Sequence, residues 1–301
     1  MNWKKFLPHI LAIAGFVALT MIFLSPLMEG KKLKQGDTNN WLGMSKEISD
    51  FREKYHGEAL WTNSMFGGMP AYQISVLYPA NLMAYVDKVL TLGLPSPANL
   101  IFLYMAGFYF LLITMGINPR LAALGAIAFA FSSYYIVVIE GGHNTKAQAV
   151  GYMAPVVAGI LMSYRGKILA GSIITAVALS LELYANHLQV TYYLLLLVSV
   201  YIMLELIAAV RQKTLPAFVK SSAILLAAAA LAVLPNITNI MATQEYAKES
   251  TRGPSELTID KTIQTTGLDK DYITDWSYGV GETWTFLVPN FKGGASQPIS
   301  F

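Results

Sequence analysis

The fold is decided by apolar stretches such as Leu188–Val210, which reads LQVTYYLLLLVSVYIMLELIAAV. Glu205 is its only charged residue. A helix needs about 20 predominantly apolar residues to cross the hydrocarbon core of a bilayer, which is about 30 Å thick. The stretch has that length and that composition. It therefore predicts a transmembrane helix.

The composition indicates that the chain as a whole is adapted to lipid. Of its 301 residues, 54% are hydrophobic and 13% are charged, and the mean hydropathy is +0.47. Soluble domains carry about 25% charged residues, so a soluble single-core enzyme is excluded. The chain has no Cys, which excludes disulfides, a thiol nucleophile and a Cys-ligated metal. The net charge of +3 is small, and no basic footprint indicates a nucleic-acid partner.

Similar apolar segments recur along the sequence and define the predicted architecture. The candidate spans are Leu7–Met28, Ala98–Met115, Leu121–Ile139, Ala149–Tyr164, Ile168–Tyr184, Leu188–Val210 and Ala217–Leu234. The predicted fold is an all-α transmembrane, polytopic helix bundle of about seven spans, with a large first outer loop. We divide the chain into a bundle, residues 1–235 with the outer loop 29–97, and a polar extracytoplasmic segment, residues 236–301. The polar segment has no closing helix, and we expect it to begin a larger region.

Basic residues indicate how the spans are oriented. If the spans alternate in direction, one face of the membrane has almost no acidic residues and receives eight Lys and Arg residues. These residues are Lys4, Lys5, Arg120, Arg165, Lys167, Arg211, Lys213 and Lys220. Cytoplasmic loops carry an excess of Lys and Arg, so the N-terminus is predicted to be cytoplasmic. Nearly every Asp and Glu then lies on the extracytoplasmic face.

The first outer loop is predicted to carry interfacial helices. The run Asp37-Thr38-Asn39-Asn40 offers an N-cap, and apolar residues between positions 41 and 51 recur at roughly helical spacing. This pattern predicts a helix lying along the membrane surface. Ile74–Leu94 is apolar but is interrupted by Pro79 and Asp87. Because a full span there would move the later basic residues outside, we interpret it as an interfacial or re-entrant segment.

Polar side chains gather where the predicted spans meet the outer face. The candidate site residues are Asp37, Glu140, His143, Lys146, Glu182, Asn186, His187 and Gln189. An ionisable group at membrane depth costs about 2.5–3.5 kcal/mol on insertion scales, so such groups persist where they are paired or where function needs them. We expect these side chains to line one extracytoplasmic chamber.

Such a set suits the transfer of a group from a lipid-linked phosphate donor. A carboxylate can act as general base on an acceptor hydroxyl, and cations can hold a phosphate whose negative charge grows. Asp37 is the candidate base. His143, Lys146 and His187 are candidates for binding the phosphate. The glutamates and amides of the set are candidates for orienting those cations or for binding sugar hydroxyls. Gly141 and Gly142 would let backbone N–H groups approach an anion closely.

Each assignment has an ordinary structural alternative. Asp37 can cap the surface helix, the loop that carries His143 can be a tight turn, and Glu182 can belong to a buried structural pair. Two other functions stay open, namely a transporter or lipid flippase and a non-enzymatic envelope scaffold. A transporter is expected to place charges near the bilayer midplane and to show inverted repeats, whereas these charges gather at one face. A scaffold would leave Glu182 and the histidine loops without a shared cavity.

The polar motifs carry a family resemblance. At Asp37, at Glu140–Lys146 (EGGHNTK) and at Asn186–Tyr193 (NHLQVTYY), the sequence resembles the YfhO family of bacterial membrane proteins. That family is similar to the GT-C superfamily of polytopic glycosyltransferases. The resemblance covers essentially the whole chain, as the N-terminal part of a longer family member. The two loop motifs, in order and in corresponding loops, are moderately specific together.

The resemblance implies a GT-C-like bundle in the bacterial inner (cytoplasmic) membrane, with an extracytoplasmic catalytic cavity and Asp37 as the base. Its implied donor is an undecaprenyl-phosphate sugar and its implied acceptor a cell-envelope polymer. Its partners would be membrane lipid, the lipid-linked sugar and that acceptor, with no nucleic acid. Some GT-C enzymes use a divalent metal held by two or more acidic ligands. Asp37 has no second close carboxylate, so the local spacing does not support a metal.

Overall fold

The computed structural model describes residues 3, 6–247, 274, 277, 279–286 and 291–292. This part of the chain is mostly helical, which confirms the all-α prediction. The helices are α1 Leu7–Phe23, α2 Gly36–Met44, α3 Lys46–Tyr55, α4 Met83–Leu90, α5 Ala98–Thr114, α6 Pro119–Ala130, α7 Ser133–Gly141, α8 Asn144–Tyr164, α9 Ile168–Tyr184, α10 Leu188–Arg211, α11 Leu215–Val233 and α12 Ile237–Ala247. Short 3₁₀ helices cover Ser25–Glu29, Ala71–Gln73, Leu234–Asn236 and Glu282–Phe286. Two short antiparallel strands, β1 Trp61–Thr62 and β2 Met69–Pro70, form a hairpin.

Every apolar segment of the sequence is helical, but the helices differ in length. Within the described residues, three helices are long and apolar enough to cross a membrane, and they begin at Asn144, Leu188 and Leu215. The bent pair α6 and α7 adds a fourth if it forms one span. Helices α1, α5 and α9 are apolar but shorter. A membrane protein is therefore supported, and the count of seven spans stays a prediction.

The third predicted span, Leu121–Ile139, consists of two helices and not one. Helix α6 ends at Ala130, α7 begins at Ser133, and the two axes differ by 47°. Ser132 between them has extended backbone angles and is the N-cap residue of α7. Serine favours helix ends over helix interiors because its hydroxyl competes for backbone hydrogen bonds.

The first outer loop carries short helices, as predicted, but their boundaries differ from the prediction. Helix α2 begins at Gly36, with Gln35 as its N-cap residue, so Asp37 lies in the first turn and the predicted N-cap was wrong. A break at Ser45 separates α2 from α3, and α3 turns the buried Ile48 inward. The segment 74–94 contains only the eight-residue helix α4, which is too short to span a bilayer.

The centre of the bundle is α8, which packs against α5 and α9. Small residues permit this close approach: a Cβ on Gly107 would lie 2.7 Å from the carbonyl oxygen of Gly151, and one on Gly171 would lie 2.5 Å from that of Gly159. Helix–helix interfaces in membranes are enriched in such residues, because association there depends on close van der Waals packing. Around these contacts the buried side chains are aromatic and aliphatic, Tyr104 among them.

Hydrogen bonds between helices show which helix ends lie together at each end of the bundle. The Arg165 guanidinium donates to the Thr114 carbonyl at 2.8 Å, and the Tyr164 and Ser222 hydroxyls lie 2.8 Å apart, which joins α5, α8 and α11 at one end. At the other end, the Asn236 amide donates to the Ser180 carbonyl at 2.9 Å, joining α11 and α9. Successive helices therefore alternate in direction. Of the basic residues predicted on the cytoplasmic face, Arg120, Arg165, Lys167, Arg211, Lys213 and Lys220 lie at or near the first end, and Lys4 and Lys5 fall outside the described residues.

Two compact units divide the chain, Met1–Thr238 and Asn239–Phe301. The first contains the bundle and all candidate site residues. Most of the predicted extracytoplasmic segment 236–301 lies outside the described residues.

Candidate functional site

Three turns at the same end of the bundle form the candidate site: the start of α2, the α7–α8 turn and the α9–α10 turn. Gly142 allows the first two to meet. It has a positive φ of 91°, and a Cβ there would lie 3.0 Å from the Thr38 amide nitrogen and 3.2 Å from the Asp37 Cβ. A larger residue would be strained and would push α2 away. The Gly-Gly pair therefore serves a close approach of protein backbone.

A carboxylate and an imidazole meet at the centre of the site. Asp37 Oδ2 lies 2.8 Å from His143 Nδ1, and each side chain is 54% exposed. This is ion-pair distance, at which a protonated imidazole attracts the carboxylate. Asp37 Oδ1 has no hydrogen-bond partner among the described residues and is open to a ligand.

A network of side-chain hydrogen bonds lies next to this pair. The buried Gln35 donates through Nε2 to the Ile139 carbonyl at 2.5 Å and to Asn144 Oδ1 at 3.0 Å. The Thr38 hydroxyl donates to Gln35 Oε1 at 2.9 Å. These bonds tie the start of α2 to both α7 and α8, so Gln35 is a positioning residue that sequence reasoning missed. Its only signal was a polar residue directly before a helix start.

Two further cations of the predicted set lie beside the pair. Lys146 Nζ lies 5.3 Å from the centre of the Tyr134 ring, a cation–π contact. Burial lowers the pKa of His187, and the positive charges of Lys146 and His143 lower it further. These charges act on His187 because the α7–α8 and α9–α10 turns lie at the same end of the bundle. With its pKa below the ordinary value, His187 is neutral at pH 7 and can donate or accept a hydrogen bond there.

The N-termini of α2, α8 and α10 converge on this site. Their N-cap residues are Gln35, His143 and His187, and none caps its helix through its side chain. The first N–H groups of an α-helix lack internal partners and carry the positive end of the helix dipole. A helix N-terminus is therefore an anion-binding element, and three helices begin at this end of the bundle. Sequence reasoning missed this convergence, because it depends on how distant helices pack.

The two predicted glutamates do not join the cluster. Glu140 lines a cavity of about 420 Å³ together with Lys31 and Lys32, beside the C-terminal end of α1. Glu182 is fully buried, and its carboxylate accepts from the Thr191 hydroxyl at 2.9 Å, which links α9 to α10. Glu182 thus holds the two helices that flank the His187 turn.

The predicted amides lie at the edge of the site. Asn186 is exposed in the α9–α10 turn, in a left-handed backbone conformation with φ 55°. Gln189 is exposed on α10 and donates to the Tyr193 hydroxyl at 3.0 Å. The structure therefore places Asp37, His143, Lys146 and His187 in three turns at one end of the bundle. Asn186 directly precedes His187 in the chain.

A second carboxylate, Asp87, faces α8 from the loop helix α4. Its Oδ1 accepts from the Tyr152 hydroxyl at 2.6 Å and from Gln148 Nε2 at 2.9 Å. Asn144, Gln148 and Tyr152 recur every four residues, so they share one face of α8. This polar stripe runs from the start of α2 to α4. An Asp in an apolar segment was its only sequence signal.

Within the part of the chain that the structure describes, no three His, Asp or Glu side chains lie close enough to hold a metal ion. Compared with models of protein families, with curated proteins and with solved structures, the chain matches none of them. The geometry of the site and the sequence motifs are therefore what bear on function.

Proposed function

We propose that this protein is a membrane glycosyltransferase, or the N-terminal part of one, that uses a polyprenyl-phosphate sugar as donor. One observation carries the proposal: Asp37 lies 2.8 Å from His143 at the end of the bundle where α2, α8 and α10 begin, and Lys146 lies in the first turn of α8. This combination supplies a base for an acceptor hydroxyl and a positive environment for a phosphate.

The reaction follows from these roles. Asp37 takes the proton of the acceptor hydroxyl as its oxygen forms the new bond to the anomeric carbon of the sugar. The bond between that carbon and the phosphate oxygen breaks, and its electron pair leaves with the phosphate. Lys146 and the helix N–H groups stabilise the negative charge that develops there. His143, with Nδ1 at 2.8 Å from Oδ2, helps to fix the position of the carboxylate.

The membrane arrangement agrees with such a role. In our proposal the seven apolar segments are the spans of a GT-C-like bundle, as in the YfhO family, in the inner membrane of a bacterium. The end whose short loops carry Arg120, Arg165 and Arg211 is cytoplasmic in this proposal, and the Asp37 end is extracytoplasmic. Support comes from the alternating helix directions, because the site and the basic loops lie at opposite ends. The acceptor is a cell-envelope polymer, which this face would meet.

Asp37→Asn tests the base directly. The amide keeps the shape of the side chain but cannot take a proton, so sugar transfer should fall by about 10²- to 10⁴-fold. The measurement is transfer from a radiolabelled undecaprenyl-phosphate sugar to envelope material, in membranes containing the full protein. Membrane insertion and thermal stability should match those of the unchanged chain.

Asp50→Asn is the matched control. Asp50 is an exposed carboxylate of the same outer loop and accepts from Lys46 at 2.6 Å on the surface of α3. Its substitution should leave transfer unchanged. Full transfer by the Asp37→Asn protein would remove Asp37 as base, and absence of transfer by the unchanged protein with every polyprenyl-phosphate sugar would overturn the proposed function.

A further inference from the structure

One buried carboxyl group takes no part in the proposed sugar transfer. Glu182 lies in the last turn of α9, and its side chain has no exposed surface. An ionisable group at membrane depth is costly unless it is paired, and a bare carboxylate costs far more to bury than a neutral acid. The contacts of Glu182 therefore decide which of the two forms the folded chain holds.

The immediate surroundings of Glu182 contain no positive charge. Among the described residues, no ion pair includes Glu182, and the Thr191 hydroxyl is the one group that hydrogen-bonds to its carboxyl oxygens. A buried carboxylate is stabilised by a cation or by several N–H donors. A single hydroxyl supplies neither, so this site does not stabilise a negative charge.

Charged groups on the neighbouring helices are engaged elsewhere. Helix α9 packs against α4, α8, α10 and α11. Asp87 on α4 accepts from Tyr152 of α8, Lys146 of α8 lies over an aromatic ring, and His187 at the start of α10 is neutral at pH 7. The other titratable side chains of these four helices are exposed or lie toward the opposite end of the bundle, and they are Tyr85, Lys88, Tyr164, Tyr192, Tyr193, Tyr201, Glu205, Arg211 and Lys220.

The geometry at Thr191 indicates where a proton lies. Thr191 Oγ1 is 2.9 Å from Glu182 Oε1 and 2.9 Å from Oε2. A hydroxyl has one proton to donate, so Thr191 alone cannot supply both contacts with a full hydrogen bond. A neutral acid supplies both, because its C=O accepts from the Thr191 hydroxyl while its own O–H donates back to Thr191 Oγ1. Both distances are normal for hydrogen bonds between oxygen atoms.

We infer that Glu182 is a proton-binding site: the folded bundle holds it as a neutral acid at pH 7, and loss of that proton opens the contact between α9 and α10. In this step the O–H bond of the carboxyl breaks, its electron pair stays on the carboxylate, and water takes the proton. The carboxylate then has one donor in apolar surroundings, so separation of the helices becomes favourable because it admits water. Since α10 begins at Leu188, the opening moves the turn that carries His187.

Infrared absorption tests the proton directly, because the C=O stretch of a neutral carboxylic acid lies apart from the bands of a carboxylate. The full chain is measured at pH 7 in maltoside micelles, which contain no ester carbonyl to cover that region. The unchanged chain should show an acid band that weakens as the pH rises, and Glu182→Gln should lack this band. Glu53→Gln, which replaces an exposed glutamate of α3, is the control and should lose carboxylate absorption only.

The unchanged chain alone can overturn the inference. Absence of an acid band at pH 7 would show that Glu182 is a carboxylate, whatever the variants do. An acid band of equal strength in the Glu182→Gln protein would assign the proton to another residue. The amide of Gln keeps a donor and an acceptor for Thr191, so this variant should fold with the same thermal stability at pH 7.

Thiol labelling tests the opening, because the chain contains no Cys. Val190→Cys places a thiol in a buried cluster that joins α10 to Ala185 and Ala149. Opening releases one proton, so the open fraction should rise by up to about tenfold per pH unit while the closed form stays protonated. The measurement is the ratio of maleimide labelling rates between Val190→Cys alone and Val190→Cys combined with Glu182→Gln. Thiol ionisation is common to both proteins, so the ratio isolates the effect of Glu182.

Leu196→Cys, whose native side chain is 49% exposed on α10, should label at the same rate with and without Glu182→Gln. A Val190→Cys ratio that stays constant as the pH rises would contradict the opening. Neither measurement uses sugar transfer, so an acid band in a protein that transfers no sugar would keep the proton site and contradict only the glycosyltransferase proposal.

Discussion

At the scale of single residues, the protonation of His187 depends on its burial and on the charges of Lys146 and His143. His187 is partly buried next to Lys146 and His143, and its pKa lies below the ordinary value because burial and these two neighbours disfavour its protonated form. A neutral imidazole there leaves Lys146 as the fixed positive charge. His187 therefore gains its charge only as the pH falls below its lowered pKa.

Replacing Lys146 should change the protonation of His187. In Lys146→Met the pKa of His187 should rise, because one like charge is removed, but should stay below the ordinary value since burial remains the larger cause. NMR titration of the histidine ring signals in lipid nanodiscs measures this shift. Lys88→Met, on the exposed side of α4, should leave the pKa unchanged, and an equal shift in both variants would contradict the placement of Lys146.

The lowered pKa of His187 makes the stability of the fold depend on pH. A histidine whose pKa is lowered by folding contributes stability that is fully present above the unfolded pKa of about 6.5. That contribution is lost as the pH falls through the folded pKa. Acidification should therefore weaken the α9–α10 turn before it affects the apolar helices.

At the scale of helices, the pair α8 and α9 holds the bundle together through small residues. Gly159 and Ser163 on α8 face Gly171 and Thr175 on α9, and both pairs are spaced four residues apart. A Cβ on Gly159 would lie 2.7 Å from the Thr175 amide nitrogen. The spacing brings backbones into contact, so any added side chain must separate the helices.

Gly171→Ala should destabilise the protein by about 1–3 kcal/mol, the range found for overpacked cores. Thermal unfolding in detergent micelles measures the loss. Gly15→Ala is the control, because Gly15 lies within α1 and has no atom within 4 Å of its added Cβ. That variant should be neutral or gain about 0.5–1 kcal/mol from helix propensity. A Gly171→Ala protein as stable as the Gly15→Ala protein would contradict the close approach of α8 and α9.

At the scale of the whole molecule, the two ends of the bundle differ in chemistry. One end carries Asp37, His143 and His187 with acidic and basic residues mixed, whereas the loops at the other end carry arginines and lysines and no Asp or Glu among the described residues. The orientation across a bilayer follows from this asymmetry if positive charge is retained in the cytoplasm.

Single cysteines on opposite ends test the orientation. Thr145→Cys, in the first turn of α8, should react with a membrane-impermeant maleimide in intact cells. Thr214→Cys, in the α10–α11 turn, should react only after the membrane is permeabilised. Both threonines are exposed and uncharged, so the two substitutions are matched. The reverse pattern would invert the orientation, and labelling of both from outside would contradict the alternation of the helices.

The sequence by itself determined where the helices lie. In lipid, the backbone N–H and C=O groups of a single segment must form hydrogen bonds within that segment. A long apolar run such as Leu188–Val210 therefore forms a helix. Local charges also determined that 74–94 is not a span. The start of α2 and the break at Ser132 were not readable, because they depend on contacts with other helices.

Only the tertiary structure decided which polar residues meet. Asp37 and His143 are far apart in the chain, and Gln35 bonds Asn144 across 109 positions. Sequence order grouped Glu140 and Glu182 with them, yet packing turned Glu140 toward a separate cavity and Glu182 into the α9–α10 contact. Helix rotation sets the direction of each side chain, and a neighbouring residue can face the opposite way. That rotation is fixed by packing against other helices, such as the Gly159–Gly171 contact, and not by the hydropathy of the helix itself.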